Sequence, residues 1–122
     1  MSDTYVIEIP GPLVSLNAER RQRHWAVRSE ATKQWRHSAG WAAKAAKIPP
    51  LSVVIVEAQP WQSKGVLADA GNHLPSVKAA IDGLVDVGVL HDDDPTHVAA
   101  LILLAPRRGN DGLTLTVQTV AD

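Results

Sequence analysis

The dipeptide Pro49-Pro50 divides the first half of the chain into two kinds of structure. Proline has no N–H to donate and disfavours helical geometry in the residue before it, so a helix arriving from the N-terminal side must stop there. One does arrive. From Ser29 to about Lys47, the residues Ala31, Trp35, Ala39, Ala42 and Ala46 recur at spacings of four, four, three and four, which puts them on one helical stripe. Arg28, Lys33, Arg36, Lys44 and Lys47 fall on the remaining surface. The stripe could face either a sheet or a second subunit. Beyond the prolines, Leu51 to Gln59 reads LSVVIVEAQ, a β-branched run suited to a strand largely covered on both faces, with Pro60 closing it.

The other segments follow the same reading. Thr4 to Ile9 alternates, with Tyr5, Ile7 and Ile9 on one face, and stops at Pro10-Gly11-Pro12, as a strand would. Trp61 to His73 has no period and is read as a loop approaching a functional site. A second helix is expected from about Pro75 to Val87: Pro75 suits the first turn, Val77, Ile81 and Leu84 form a buried stripe, and Gly88 supplies a left-handed cap. Lys78, Asp82 and Asp86 share its opposite face. Val98 to Ala105 and Leu113 to Val120, joined through Asp111-Gly112, read as a hairpin whose first strand is the more buried. The order strand, helix, strand, helix, strand, strand implies one α+β domain over residues 1–122, a small mixed sheet with helices packed on it.

The absence of cysteine excludes disulfides, thiolate metal sites and thiol nucleophiles, so any metal must be held by oxygen or imidazole. No uncharged apolar run reaches the roughly 20 residues of a membrane span, and Met1 to Pro10 does not form a leader, so a soluble, cytoplasmic protein with no membrane partner is expected. The net charge of −1 conceals a segregation of signs. Eight of the 12 Lys and Arg residues lie between Arg20 and Lys47, and six of the 13 acids lie between Asp69 and Asp94, where Lys78 is the only Lys or Arg. One segment is a candidate phosphate binder and the other a candidate metal holder, although each also reads as the solvated face of an ordinary helix.

Asp69 precedes the second helix and His91-Asp92-Asp93-Asp94 follows it. Mg²⁺ is commonly held by one or two carboxylates plus water and phosphate oxygens, so converging acids would suit phosphodiester cleavage. A helix of about 13 residues rises roughly 20 Å, so acids at its two ends meet only if the flanking chain folds back or a second subunit contributes. The other reading of Asp92 to Asp94 is a solvated turn. His73 and His91 are read as polar loop residues with some capacity to ligate.

The run Asp69-Ala70-Gly71-Asn72, then Lys78-Ala79-Ala80-Ile81-Asp82-Gly83-Leu84, then Gly88 and His91-Asp92-Asp93, resembles the signature of RusA-type Holliday junction resolvases. That family pairs an Asp-x-Asp-Asn loop with a Lys-x-x-x-Asp-x-Leu helix and a Gly before an Asp-Asp pair. It also opens with a short strand, a Pro-containing turn and an Asn, as Ile9-Pro10 to Asn17 does here, followed by a basic segment and helix. The resemblance implies a RusA-like fold and a homodimer that binds four-way junctions and other branched DNA. It further implies hydrolysis of phosphodiesters with Mg²⁺, for which Mn²⁺ can substitute, in recombination and repair. By position, Asp69 and Asp93 correspond to catalytic, metal-binding acids, Asp92 to a neighbouring acid, and Lys78 to a helix lysine that would stabilise developing charge.

Two departures stand out. Gly71 occupies the place of the family's second loop aspartate, and three extra residues separate Asn72 from Lys78. Asn72, His73, Asp92 and Asp94 are the residues able to replace the missing ligand. Arg20, Arg21, Arg23, Trp25, Arg28, Lys33 and Arg36 form the expected DNA-binding set, with Trp25 able to stack on an unpaired base or to pack on the body. Two rival readings remain: a dimer that binds branched DNA without cutting it, and a protein whose charged segments serve protein partners.

Overall fold

In a computed structural model of the chain, residues 3–16 and 25–120 are described, with the side chains of 25–29 excepted. β1 (Thr4–Pro10), α1 (Trp25–Ala45), β2 (Val54–Gln62), α2 (Leu74–Asp86), β3 (Val98–Leu103), β4 (Arg107–Arg108) and β5 (Gly112–Thr119) follow one another. Among the described residues they form an α+β domain in two layers, a mixed five-stranded sheet carrying two helices.

The sheet runs β1-β5-β2-β3, with the short β4 also on β2. β5 is antiparallel to both β1 and β2, whereas β3 and β4 are parallel to β2. Alternation puts Ile7, Ile9, Val54, Val56, Ala58, Leu113, Leu115 and Val117 on one buried face. Trp35, Ala39 and Ala43 of α1 and Val77, Ala80, Ile81 and Leu84 of α2 join them in a single core.

The expected hairpin does not form. β3 follows α2, and a strand entering a sheet after a helical crossover pairs in parallel with the strand before that helix, here β2. β5 takes the central position instead. The expected order of burial is therefore reversed: Ala99, Ala100 and Ile102 of edge strand β3 are exposed, while Leu113, Leu115 and Val117 of β5 are buried. A continuous apolar run does not distinguish an edge strand from a covered one.

Pro60 does not close β2, which runs on to Gln62 and pairs Pro60 with Leu113 of β5. Ala58 and Gln62 direct their backbone carbonyls towards the β3–β4 side, accepting Leu104 N–H at 3.0 Å and Gly109 N–H at 3.3 Å. By period two, Pro60 faces the same way, into the gap between β3 and β4 where no ladder requires its missing N–H. The Gln59 side-chain amide fills that gap, donating to Pro60 O at 2.8 Å and Ala105 O at 2.9 Å.

The helices pack on the chain's own core, which settles the direction of the α1 stripe. Trp35 is buried and donates its indole N–H to Pro12 O at 2.7 Å. The buried stripe continues through Ala43 rather than Ala46, which is exposed, because the helix ends at Ala45 and Lys47 turns the chain in a left-handed conformation (φ 57°). α1 meets α2 with almost no side chain between them: a Cβ added to Gly83 would sit 2.1 Å from Arg36 O, and one added to Gly40 would sit 2.9 Å from Val87 Cγ1.

Candidate functional site

Every chemically interesting acid except Asp111 is presented by α2 or the chain around it. The loop before α2 enters in tight turns, Asn72 N–H donating to Asp69 O at 3.1 Å and Leu74 N–H to Gly71 O at 3.2 Å. Asp69 thus lies just ahead of the helix. Gly71 adopts φ +87°, the left-handed region that an L side chain occupies at a cost. The residue at the family's second aspartate position is therefore one whose backbone suits glycine. A 430 Å³ recess beside it is lined by Ser15, Gln62, Val66, Leu67, Ala68, Asp69, Asn72 and His73.

After α2 the chain reverses. Gly88 takes φ +81°, Val89 and Leu90 N–H both donate to Leu84 O, and Leu51 N–H donates to Val89 O at 2.8 Å. Burial of Val89 and Leu90 pins this return. Asp93 consequently reaches Lys78, whose Nζ lies 3.1 Å from Asp93 Oδ2. Lys78 stands eight residues before the end of α2, about 12 Å back along its axis. The chain after α2 thus folds back along the helix as far as Lys78. Lys78 takes Asp93 as its partner, not Asp82, and this contact is the first cause holding the Asp93 carboxyl below the usual carboxylate range.

The three consecutive acids have separate employments. Asp92 Oδ1 accepts the Asp93 N–H at 2.7 Å. Asp94 Oδ1 accepts Thr96 N–H at 3.0 Å and Thr96 O–H at 2.6 Å, and lies 2.8 Å from His97 Nδ1, so it caps the turn that opens β3. Hydrogen bonds from Thr96 and then His97 lower its pKa. His91 packs its ring 5.5 Å from that of His97.

Asp69 lies in the loop that enters α2, and Asp93, in the segment that follows α2, meets Lys78 in the helix's N-terminal half. Among the described residues, no three His, Asp or Glu side chains gather closely enough to hold a metal ion. The donors present fit Mg²⁺ in kind, being hard carboxylate oxygens. In number, two carboxylates suffice only when phosphate oxygens and water complete the shell.

Of the expected DNA contacts, Arg20, Arg21 and Arg23 lie outside the described residues, and Trp25 and Arg28 are described only as backbone of α1. Lys33 is exposed. Arg36 is engaged by Asp86, its Nε and Nη2 donating to the two carboxylate oxygens at 2.5 and 2.7 Å. That pairing raises the arginine pKa and lowers that of Asp86. Leu16, the last described residue before the basic segment, donates its N–H to Asn72 O at 2.7 Å.

Sequence reasoning did not single out the residues that shape the loop carrying Asp69. Gln62 Nε2 donates to Lys64 O and Val66 O, both at 2.8 Å, and Gln62 Oε1 accepts Ala68 N–H at 3.2 Å. Arg108 braces the same loop from β4, donating to Gly65 O at 2.8 Å. Gln62 was legible only if β2 was allowed to pass Pro60. His73 is buried, and neither ring nitrogen has a hydrogen-bond partner. Burial pushes its pKa down, a shift only partly opposed by the nearby Val14 backbone.

No family model matches the chain, and no curated protein is significantly similar to it. Among the described residues, no helix is long and apolar enough to cross a membrane.

Proposed function

We propose that the protein is a RusA-like, Mg²⁺-dependent endonuclease that cuts four-way DNA junctions as a homodimer. The observation that carries this reading is the return of the chain after α2, which sets Asp93 against Lys78 in the half of the helix that the Asp69 loop enters. Asp69 and Asp93 would hold the cation, assisted by Asp92. Bound there, Mg²⁺ would polarise the phosphodiester and activate water for attack. Lys78 holds Asp93 ionised and, once a phosphate is present, supplies an ammonium for charge building on the leaving oxygen. Water activated by the cation is the expected nucleophile, with no covalent intermediate. Two copies are needed because a junction of two-fold symmetry is cut twice.

A second reading has its own support. With glycine-favouring backbone at Gly71 and no three-donor group among the described residues, the same dimer would bind branched DNA without cutting it. A cleavage assay on a labelled four-way junction, with Mg²⁺ and separately Mn²⁺, decides between them. Paired nicks from the wild type that vanish in Asp69→Asn and Asp93→Asn, with junction binding retained, are expected. Tight binding by the wild type with no nick in either metal would leave the binding reading in place.

A further inference from the structure

Four of the 12 cations lie outside the basic N-terminal segment, and three of them, Lys64, Arg107 and Arg108, come together at one end of the sheet. β4 pairs Arg107 with Trp61 and Arg108 with Gln62, and Lys64 follows two residues later. All three are exposed, and none has a carboxylate in salt-bridge contact among the described residues. Among the described residues Arg108 donates to two carbonyl oxygens, those of Gln62 and Gly65, which do not cancel its positive charge. Asp111 is the acid that senses Lys64; its carboxylate accepts the Ser63 N–H at 2.8 Å and keeps its charge, so the three cations outnumber the acid beside them.

This cluster is built rather than merely solvated. The Arg107 guanidinium lies 5.7 Å from the Trp61 ring centroid, within cation–π range. Trp61 is itself fixed, its indole N–H donating to Thr114 Oγ1 at 2.9 Å. Gly109 packs so closely on the ring that an added Cβ would lie 2.8 Å from Trp61 Cε3, and its N–H donates to Gln62 O. Arginine held this way loses less freedom on binding than a mobile side chain would. The cluster also adjoins the Asp69 recess through one residue, since Gln62 both carries Arg108 and lines the wall that Asp69 shares.

We infer that Lys64, Arg107 and Arg108 form a second phosphate-binding surface, which grips the backbone of a DNA duplex arm beside the Asp69 recess. The inference rests on the DNA reading of the preceding section and adds a second set of cations to the one expected from Arg20 to Arg36. A polyanion brought towards Asp69 and Asp93 is repelled by both carboxylates, and fixed cations on the flank offset that repulsion.

Fluorescence polarisation with the full chain, on a labelled four-way junction and a linear duplex across a salt series, tests it. Lys64 and Arg107 are the positions to change, because Arg108 also braces the loop. The double variant Lys64→Ala/Arg107→Ala is expected to bind about tenfold more weakly, with the slope of log K against log salt reduced by about 1.8, as for two lost phosphate contacts. Lys64→Arg/Arg107→Lys is expected to retain the wild-type slope. An unchanged slope in the alanine variant, or an equal loss in the charge-preserving one, overturns the inference. Unchanged slope in a protein that still cuts junctions removes this surface alone. A wild type that binds DNA with the predicted slope change but never cuts it removes the endonuclease and leaves the surface standing.

Discussion

The Lys78 side chain is half exposed and that of Asp93 one-third exposed, so their ion pair contributes little to folding, within about 1 kcal/mol. Its chemical effect is larger than its structural one. Lys78 keeps Asp93 ionised below the pH at which an ordinary carboxyl would take a proton. Lys78→Met should therefore leave the melting temperature nearly unchanged and, on the proposed endonuclease reading, slow junction cleavage by about 10²-fold, the usual loss when one charge-stabilising donor is removed. The acid limb of its pH–rate profile should also move upward, because the Asp93 pKa returns towards the ordinary value. Single-turnover cleavage from pH 4 to 8 measures both effects, and an unchanged acid limb would detach Asp93 from the reaction.

At the scale of the elements, the contact between α1 and α2 sets the geometry of the site, because α2 carries Lys78 and receives Asp93. Gly83 is where the two backbones touch, and a methyl group there collides with a main-chain oxygen that cannot rotate away. Gly83→Ala should cost about 3 kcal/mol or more, at the upper end of overpacking losses, although alanine alone favours helix. Urea unfolding of the variant checks this. A loss under 1 kcal/mol would mean that the helices separate easily. Helix propensity alone points the other way, so Gly83 reads in the sequence as a weak spot in a helix. Its importance appears only once α1 is known to lie across it. Both helices were legible from their stripes, and β1 from its alternation. β3 was legible as a strand but not as an edge strand beside β2, because edge and centre are properties of the sheet and are not written in a run of six residues.

The whole molecule answers to acid in two stages. His73 is buried with a lowered pKa, so the folded state resists the proton that the unfolded chain accepts. Its stabilising effect is complete above the ordinary histidine pKa of about 6.5 and is lost as pH falls from there through the lower folded value. Asp86, Asp93, Asp94 and Asp111, all with lowered pKa values, follow in the acid range beneath the ordinary carboxylate value. His73→Leu should flatten the upper stage and leave the lower one. It should also stabilise the protein near pH 6, since two buried nitrogens without partners are replaced by apolar surface. Chemical denaturation at half-unit steps from pH 4 to 8 gives the comparison, and a retained upper stage would assign it to another group. Asp69, Lys78 and Asp93 stand out in the sequence by type and order, whereas the contact between Lys78 and Asp93 appears only in the fold. The brace of Gln62 and Arg108 was not, since it joins residues 46 apart through a strand extension that Pro60 hides.

That proline has a consequence for how the sheet finds its alignment. A strand with uniform hydrogen-bonding capacity can slide by two residues against its neighbour and keep every side chain on its proper face. β2 cannot slide that way along β3 without cost. Such a shift in one direction brings Pro60 opposite Leu103, where Ala58 now pairs, and offers the ladder a position with no donor. Pro60 thus acts as a ratchet tooth, tolerated in the native alignment and penalised in the neighbouring one, and it selects the alignment that places Gln62 beside Asp69.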